Sequence, residues 1–539
     1  MLTQWPGQSG KDWGKVPSDI LYPTAGAAAS PTPSDAGALP FKWGFEVPAQ
    51  APDKISWIKI LLDPTQTRPA FVAPKATTLP LGKTPAGIVT DYLTALRAHT
   101  LTTLTRRGVL GDTPVEYVLT VPAVWSDKAR ATTLAAAVAA GLGPELRLIT
   151  EPEGAAEYAL RSLRANTLRE GDCFTVCDAG GGTVDLITYS ITSLAPLVLK
   201  EVAVGTGALC GAVYLDRRFD EAAARALGGR AVVDAMDPRA RAQMAQAWEQ
   251  SVKRVFAGAA GADDYFVPVM GVPDGGAVRG GFWRLARADV AAIFEPVVAQ
   301  VEALVAAQVA AVGGAVAAVL LVGGFGSSEH LFARLQAWAR AHAPLAVLQP
   351  RNAWTAVVRG AIIRGLQGDT VAARMARRWY GVVHDARWDP ARHAQDERQW
   401  HELRCEWVVR NRVQWYIRRG DVVRPSAALS FPFYRTIAAA DIAGDAHALR
   451  TELWVCDDEA APARRDARVR KLCVMTSAPV PVDRFVVHKN ENGQVFYRVD
   501  YSLDMTVTGG AVIYEMSMQQ AKGDSVEKVK VGRVEVSYE

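Results

Sequence analysis

The stretch that decides the fold reads VCDAGGGTVDL and covers residues 176–186. An apolar run ends at Asp178, three glycines follow, and a second apolar run contains Asp185. Glycines leave the backbone N–H groups accessible, so such a turn can close around an anion, usually a phosphate. The alternating residues on both sides predict a β-hairpin over 173–191.

The composition of this turn suits phosphate chemistry. Asp178 precedes Asp185 by seven residues, and the intervening candidates for phosphate contact are Gly180, Gly181, Gly182 and Thr183. Backbone donors and a threonine hydroxyl can bind the β- and γ-phosphates of a nucleotide, while two carboxylates can hold a hydrated Mg²⁺ ion. The alternative is a tight structural hairpin in which the two acids only cap the turn.

Length and composition indicate a globular protein. The chain has 539 residues, of which 49% are hydrophobic, enough for about two to four domains. The formal net charge is only +4 and the basic residues are scattered, which favours a solvated surface over a nucleic-acid patch. Six dispersed cysteines argue against a disulfide framework and favour a reducing, cytoplasmic compartment.

One segment resembles a membrane span. Residues 303–328 contain no charged side chain, which is the composition of a transmembrane helix. Glycine pairs divide the segment, however, and its first part continues a helix with polar positions upstream. We therefore expect the end of a core helix and then a buried strand, AAVLLV, and no membrane partner.

The rest of the chain alternates between helical and extended patterns. An irregular opening includes a stretch at 22–40 whose composition predicts a surface loop. Apolar spacing then predicts a helix over 84–104, a strand in 115–125, a helix over 126–142 capped by Ser126, a strand, turn and helix over 146–162, mainly helices over 209–311, a strand, turn and helix over 319–340, and a final helix over 353–366. Beyond 371, alternating runs indicate a β-rich domain.

Several further segments stand in a definite order between residues 10 and 366. They read SWIKILLDP (56–64), VLTVPAVWSDKARATTLAAAVAAGL (118–142), ITEPEGAAEYAL (149–160), GALCGAVYLDRRF (207–219), SVKRVF (251–256) and LLVGGFGSSEHL (320–331). Together with the glycine turn, these segments resemble the heat shock protein 70 family, within the wider actin, hexokinase and sugar-kinase ATPase fold. The resemblance is to the divergent branch that lacks an ordinary peptide-binding half.

The resemblance implies an α/β fold with two lobes, the actin-like ATPase fold of ribonuclease H-like type. The first lobe would comprise residues 1–172, and the second lobe, with a helical subdomain, residues 173–370. A β-rich domain over 371–539 would follow. The family's first phosphate loop, Asp-x-Gly-Thr-Thr, has no counterpart in this sequence, so the first lobe is expected to be incomplete.

The resemblance also implies catalytic roles. Lys59 would neutralise charge on the transferred phosphate and Glu151 would order the attacking water, with Asp178 and Thr183 completing the catalytic set. Asp178 and Asp185 would be the metal ligands. Without the resemblance, Lys59 between apolar neighbours is typical of a strand lysine, and Glu151 is typical of an acid at a helix N-terminus.

The other implied contacts concern the nucleotide and a switch. Lys253 and Arg254 occupy the family's adenosine-contacting basic pair, although on residue type alone they fit a solvated helix face. Pro122 and Arg130 stand eight residues apart, as in the proline switch. The remaining cofactor-binding positions implied by the resemblance are Gly180, Gly181, Gly182, Thr183, Gly211, Gly323, Gly324 and Phe325.

Two departures limit the resemblance. Phe325, Gly326 and Ser327 replace the polar-then-basic pattern of the usual adenosine loop, so no arginine is available there to stack on the base. The interdomain linker and helical lid of the ordinary chaperones are also not recognisable, so their peptide-binding cycle is not carried over. Both features agree with the divergent branch.

The expected function is an ATP-binding, chaperone-like nucleotide switch with ATP or ADP and Mg²⁺ as cofactors. Protein clients or co-chaperones are the expected partners. Mg²⁺-dependent hydrolysis is expected for the form that has the first phosphate loop, and the sequence is expected to begin at an internal methionine of a longer protein. The alternatives are a pseudo-ATPase scaffold that does not hydrolyse ATP and a small-molecule kinase of the same fold.

Overall fold

The computed structural model describes residues 2–538 apart from 9–12, 24–38, 49–50, 52, 64–78, 81, 112, 144–145, 164–166, 260, 262, 343, 426–427, 508–511 and 523–524. Most of the loop expected at 22–40 lies outside the described residues. The chain forms two compact units: the first holds residues 1–199 and 205–370, and the second holds 200–204 and 371–539. The sequence did not assign the segment 200–204 to the C-terminal part.

Helices of the first unit follow the predicted capping signals. The side chain of Ser126 accepts a hydrogen bond of 3.2 Å from the N–H of Ala129, which confirms the cap expected there. The described helices are α1 (Pro85–Arg106), α2 (Asp127–Ala139), α3 (Glu151–Ser162), α4 (Val213–Ala226), α5 (Arg230–Ala235), α6 (Pro238–Ala247), α7 (Arg287–Ala310), α8 (Glu329–His342) and α9 (Ala356–Gln367).

Strands of the first unit make the architecture mixed α/β. Those in the described residues are β1 (Ile20–Leu21), β2 (Lys42–Trp43), β3 (Val118–Val121), β4 (Arg147–Thr150), β5 (Cys173–Ala179), β6 (Val184–Leu194), β7 (Leu197–Glu201), β8 (Thr206–Ala208), β9 (Tyr265–Pro268), β10 (Val278–Arg279), β11 (Phe282–Leu285), β12 (Ala318–Val322) and β13 (Ala346–Leu348). The last two residues of β7 belong to the second unit.

The central sheet of the first unit positions the glycine turns. Its order is β13-β12-β5-β6-β7, with β8 beside β6. β5 and β6 pair antiparallel, which confirms the predicted hairpin, whereas β12 runs parallel to β5. Because parallel strands end at the same edge of a sheet, the turn after β5 and the turn after β12 meet there.

Helices dominate residues 209–311, as predicted, but the sequence did not predict the strands among them. A small antiparallel sheet in the order β10-β11-β9 interrupts the helices. The runs YFVP at 265–268 and FWRL at 282–285 carry the aromatic and β-branched residues that favour strands. Glycine-rich turns separate these two runs. The sequence therefore contained a pattern typical of strands, but the runs are short and lie between long helical segments.

The uncharged segment 303–328 is divided as expected. Helix α7 ends at Ala310 and the buried strand β12 begins at Ala318. By length and composition alone, α7 could cross a membrane. Its apolar face, including Val298 and Val305, instead contributes to the core beneath the central sheet.

A smaller core lies in the N-terminal part of the first unit. β3 and β4 pair in parallel, and β1 pairs with β2. Helix α1 contributes Ile88 and Tyr92 to this core, and Val121 and Trp125 join it from the end of β3 and the chain after it. Because β3 leads directly into this core, packing fixes the position of the chain that follows Val121.

Strands also dominate the second unit, as predicted. Its two main sheets have the orders β16-β17-β15-β21-β22-β28 and β19-β25-β26-β27, with β24 beside β25, and they share one hydrophobic core. The strands are β14 (Val371–Met375), β15 (Trp379–Arg387), β16 (Gln399–His401), β17 (Glu406–Ile417), β18 (Val422–Val423), β19 (Leu429–Ala438), β20 (Ala446–His447), β21 (Arg450–Cys456), β22 (Arg470–Thr476), β23 (Val480–Pro481), β24 (Val486–Lys489), β25 (Val495–Val507), β26 (Val512–Lys522), β27 (Ser525–Arg533) and β28 (Glu535–Tyr538).

Candidate functional site

A cavity of about 610 Å³ opens in the first unit, at the edge of the central sheet where the glycine turns meet. Its wall contains residues that the sequence singled out, together with side chains that it did not. The predicted residues on the wall are Lys59, Pro122, Glu151, Asp178, Gly180, Gly181, Gly182 and Thr183, and Gly323 and Gly324 join them from the turn after β12.

The two aspartates of the glycine turn lie directly opposite each other. Asp178 on β5 is the register partner of Asp185 on β6, and both are buried. Burial raises the pKa of Asp178 to about 7 and that of Asp185 to about 6, and the nearby negative charge of Glu151 adds to both shifts. The site on its own therefore holds carboxylates that lack sufficient compensating positive charge.

Asp185 is oriented by the protein but keeps one oxygen unused. Its Oδ1 accepts a hydrogen bond of 3.2 Å from the N–H of Val124, and the Thr183 side chain partly offsets the rise in the pKa of this carboxyl group. Its buried Oδ2 has no hydrogen-bond partner among the described residues. An orphaned buried carboxylate oxygen fits a role in holding a cation or the water bound to it.

Magnesium fits this pair of carboxylates. Mg²⁺ keeps several of its waters and is held by one or two carboxylates plus substrate phosphates, which is what Asp178 and Asp185 could provide. The described residues contain no group of three or more His, Cys, Asp or Glu side chains suited to a metal. In the described part of the chain we therefore observe no metal site whose ligands all come from the protein.

The glycine turn divides its backbone donors between the fold and the cavity. The N–H of Gly180 donates to the carbonyl of Thr183 at 2.9 Å, so this donor is already used. For the N–H groups of Gly181 and Gly182 the described residues supply no acceptor. These two glycines are therefore the donors that remain to meet an anion.

Lys59 and Glu151 form an ion pair in the cavity wall. Lys59 precedes a short 3₁₀ turn over Ile60–Leu62, so it does not lie on a strand. Its Nζ lies 5.5 Å from the centre of the Trp125 ring, and its side chain is 44% exposed. Glu151 stands at the start of α3, where the helix dipole stabilises a negative charge.

Lys15 is a functional candidate that the sequence did not reveal. It lines the cavity, and burial lowers the pKa of its ammonium group, while the negative charges of Asp178 and Glu151 oppose that shift. Its Nζ also lies 5.6 Å from the centre of the Trp354 ring. Lys15 belongs to an irregular segment without periodicity, so only tertiary structure places it beside the aspartates.

The other glycines act through close packing. Gly323 has φ +93°, and a Cβ there would overlap the carbonyl of Ala179 and the side chain of Asp178. Gly211 does not line the cavity, but it packs against the glycine turn, and a Cβ on it would overlap the carbonyl of Gly181. Both glycines allow neighbouring turns to approach each other, which holds the glycine loop in place.

Three residues predicted to contact the nucleotide lie elsewhere. Phe325 is buried in the main core, and Lys253 pairs with Asp216 at 2.7 Å and with Glu249. Arg254 is closer to the cavity, because its guanidinium lies 5.3 Å from the ring centre of Trp354, which lines the wall. Direct nucleotide contacts of these residues stay a prediction.

The residues of the predicted switch lie beside one another. Pro122 follows β3 and lines the cavity, and Nη2 of Arg130 donates to the carbonyl of Ala123 at 2.7 Å. This hydrogen bond links the chain just after Pro122 to α2, which carries Arg130. The switching role itself stays a prediction.

Comparison with known proteins places these features in a family. The model of the Hsp70 protein family matches residues 84–365, and a domain of unknown function, DUF8568, matches residues 374–531. The chain is 25% identical over 460 residues to human heat shock 70 kDa protein 12B, covering 68% of this chain and 64% of that protein.

Bacterial chaperones match over a shorter stretch. Identity is 39% over 134 residues to the Bordetella petrii chaperone protein HscA homolog and 40% over 130 residues to the Proteus mirabilis chaperone protein HscA, about 24% of this chain in each case. The chain thus spans less than two thirds of the human relative's length and about a fifth of the bacterial ones. Since the Hsp70 model matches more than half of the chain, the protein belongs to the heat shock protein 70 family.

Proposed function

We propose that the cavity binds ATP or ADP with Mg²⁺ and that this binding drives a chaperone-like switch. The observation that carries the proposal is the convergence of Lys59, Glu151, Asp178 and the glycine turn on one cavity of about 610 Å³. A cation, an acid at a helix start, buried carboxylates and backbone donors are the groups that phosphoryl transfer requires. Family membership supports nucleotide binding by the same cavity.

Each of these groups has a definite task in this proposal. Gly181 and Gly182 would donate their N–H groups to phosphate oxygens. Lys59 would release Glu151 and neutralise phosphate charge, since a polyphosphate attracts the ammonium more strongly than one carboxylate does. Glu151 would then accept a hydrogen bond from a water and orient it. Asp178 and Asp185 would hold Mg²⁺, which supplies further neutralisation of the phosphate charge.

The finer features of the switch belong to the same proposal. The first unit would work as two actin-like lobes that close over the nucleotide, with Pro122 and Arg130 carrying the change outward. Protein clients or co-chaperones would respond to closure, as the chaperone relatives suggest. We place the protein in the cytoplasm, without membrane or nucleic-acid partners.

A second candidate is a nucleotide-binding scaffold that does not hydrolyse ATP. Lys15 favours it, because this lysine lines the cavity and the negative charges of Asp178 and Glu151 act on its ammonium group. A lysine in this place can neutralise Asp178 and a phosphate without a metal. Nucleotide binding would then persist when Mg²⁺ is chelated, and turnover would be absent.

Two measurements separate these functions. A fluorescent ATP analogue is titrated into the protein with Mg²⁺ and with a chelator, and phosphate release is followed in parallel. The switch proposal expects Mg²⁺-dependent binding that Lys59→Ala weakens about tenfold or more, whereas Lys128→Ala, a lysine outside the cavity, leaves it unchanged.

The remaining outcomes point to other functions. Binding that survives chelation and is lost in Lys15→Ala would favour the scaffold. Turnover that requires an added sugar or acid would indicate a small-molecule kinase. A complete lack of binding under both conditions would overturn the nucleotide proposal.

A further inference from the structure

A concave cleft in the second unit carries more positive than negative charge. It encloses about 750 Å³, and its charged and titratable lining residues are Arg387, Arg392, Arg412, His384, His393 and Asp389. Asp389 pairs with Arg392 at 3.6 Å and Glu406 pairs with Arg387 at 3.8 Å, so Arg412 supplies the positive charge that these carboxylates do not balance. A concave surface of this kind attracts and orients an anion.

Arg412 is the residue that most needs a counter-ion. It lies on β17 directly opposite His384 on β15, and its side chain is partly buried. None of the ion pairs and hydrogen bonds within the described ranges gives its guanidinium a carboxylate. A bound anion would therefore give this half-buried charge the counter-ion that the described residues do not supply.

A β-bulge directs Arg412 into the cleft. The pairing of β15 with β17 shifts between His384 and Ala386, and Asn411 has φ 61°, in the left-handed region. Bulges bend a strand, redirect its side chains and often lie next to binding sites. Arg410 consequently approaches Asp385 at 4.0 Å and does not line the cleft, while Arg412 does.

Residues 389–393 line another part of the cleft and form a loop with internal hydrogen bonds. The carbonyl of Asp389 accepts hydrogen bonds from the N–H groups of Arg392, at 3.0 Å, and His393, at 2.9 Å. Nδ1 of His393 accepts from the N–H of Asp389 at 3.0 Å, so the neutral ring carries its proton on Nε2. The loop therefore presents the imidazole N–H of His393 and the guanidinium of Arg392, which also contacts Asp389 at 3.6 Å.

We propose that this cleft binds a phosphate monoester. A phosphate dianion offers three oxygens, and each planar guanidinium can bind two of them at once. The donors surround one compact cleft, whereas a nucleic acid with its repeated diesters would need an extended basic stripe. The monoester could belong to a small phosphorylated molecule or to a phosphorylated side chain of a protein, because both present the same group.

The test uses the whole chain and a matched pair of variants. A labelled phosphoserine peptide and its unphosphorylated counterpart are titrated with the protein, and fluorescence anisotropy is recorded. We expect binding of the phosphorylated peptide only, weakened about tenfold or more in Arg412→Gln. Arg410→Gln removes the same charge two residues away on β17 and should change the affinity by less than about twofold.

Competition then identifies the source of the phosphate. Displacement of the peptide by inorganic phosphate at concentrations similar to those of the unlabelled phosphopeptide would assign the cleft to small phosphorylated molecules. Displacement by the phosphopeptide alone would assign it to a protein side chain. If Arg412→Gln fails to fold by circular dichroism, Arg387→Gln takes its place, with a loss of about threefold or more expected because Arg387 is more exposed.

Three outcomes would overturn the proposal. They are no binding of either phosphate probe, equal losses in the Arg412 and Arg410 variants, and tighter binding of a single-stranded oligonucleotide than of the phosphopeptide with the same dependence on Arg412. The nucleotide cavity uses none of these residues, so the result is independent of whether the first unit binds ATP.

Discussion

Asp178 and Asp185 occupy opposing positions of the β5–β6 ladder, so that the protein places two buried carboxylates side by side at the glycine turn. Burial and nearby negative charge disfavour their ionised forms, which is why the pKa values are raised to about 7 and about 6. In the absence of a cation, this pair costs folding stability. A cluster of polar groups that lowers the folding stability of a protein is typical of a binding site, where a ligand or ion compensates the charges.

The first prediction follows from the raised pKa of Asp178. The folded-state value, about 7, exceeds the unfolded value, so the aspartate favours folding below pH 4 and progressively loses that contribution as the pH rises to 7. Asp178→Asn should therefore raise the melting temperature of the nucleotide-free protein by about 2 to 5 °C at pH 8, and by less at pH 5.5.

Differential scanning fluorimetry without added metal measures this difference. Asp53→Asn changes an exposed carboxylate and serves as the control, with no shift expected. A drop in melting temperature for Asp178→Asn at pH 8 would show that neighbouring positive charge compensates the carboxylate in the nucleotide-free protein, which is incompatible with a raised pKa for Asp178.

The second prediction concerns the crossing of α3 and α9. These helices touch at Gly154 and Gly360, where a Cβ on Gly360 would overlap the carbonyl of Gly154. Gly360→Ala should force the helices apart and lower the free energy of unfolding by about 2 kcal/mol or more. Gly275→Ala, where a Cβ meets open space, should be nearly neutral. Chemical denaturation of both variants checks this, and equal stability would refute the close crossing.

The third prediction concerns a buried ion pair at the same crossing. Nε of Arg364 lies 3.2 Å from Oε1 of Glu153, and both side chains are almost fully buried. Arg364→Met should destabilise the protein by about 3 kcal/mol, because the Glu153 carboxylate would lose its buried counter-charge. Adding Glu153→Gln should restore part of the loss. Urea denaturation of the single and double variants gives the coupling free energy between Arg364 and Glu153. If the losses in free energy of unfolding were strictly additive, the two residues would not interact as an ion pair.

Local patterns predicted much of the site. The hairpin, the glycine turn and its two aspartates are one contiguous stretch, so their arrangement follows from strand alternation and turn chemistry. Ser126 and the acid at the start of α3 followed from helix capping. The family resemblance, and no local pattern, assigned Lys59 and Glu151 to one site, and they form an ion pair there.

Tertiary contacts account for what the sequence did not predict. Lys15 enters the cavity wall from a segment without a distinctive local pattern, and Trp354 enters it from the start of the helix predicted over 353–366, where nothing marked it as a site residue. The pairing of Lys253 with Asp216 on α4 joins residues far apart in the sequence, so no local pattern revealed it, and the nucleotide contact of Lys253 stays a prediction. The β9–β11 sheet was missed because its strands are short and lie between helices.

The most direct test of the central claim is calorimetric titration of ATP with Mg²⁺ into a glycine-turn variant. A Cβ on Gly181 would meet open space on the cavity wall, so Gly181→Val should fold normally while filling the phosphate position. Gly275→Val, also in open space but outside the cavity, is the matched control. We expect the control to bind like the unmodified protein and Gly181→Val to bind about tenfold or more weakly. Equal binding by Gly181→Val, or no binding by the unmodified protein, would contradict a nucleotide site at this turn.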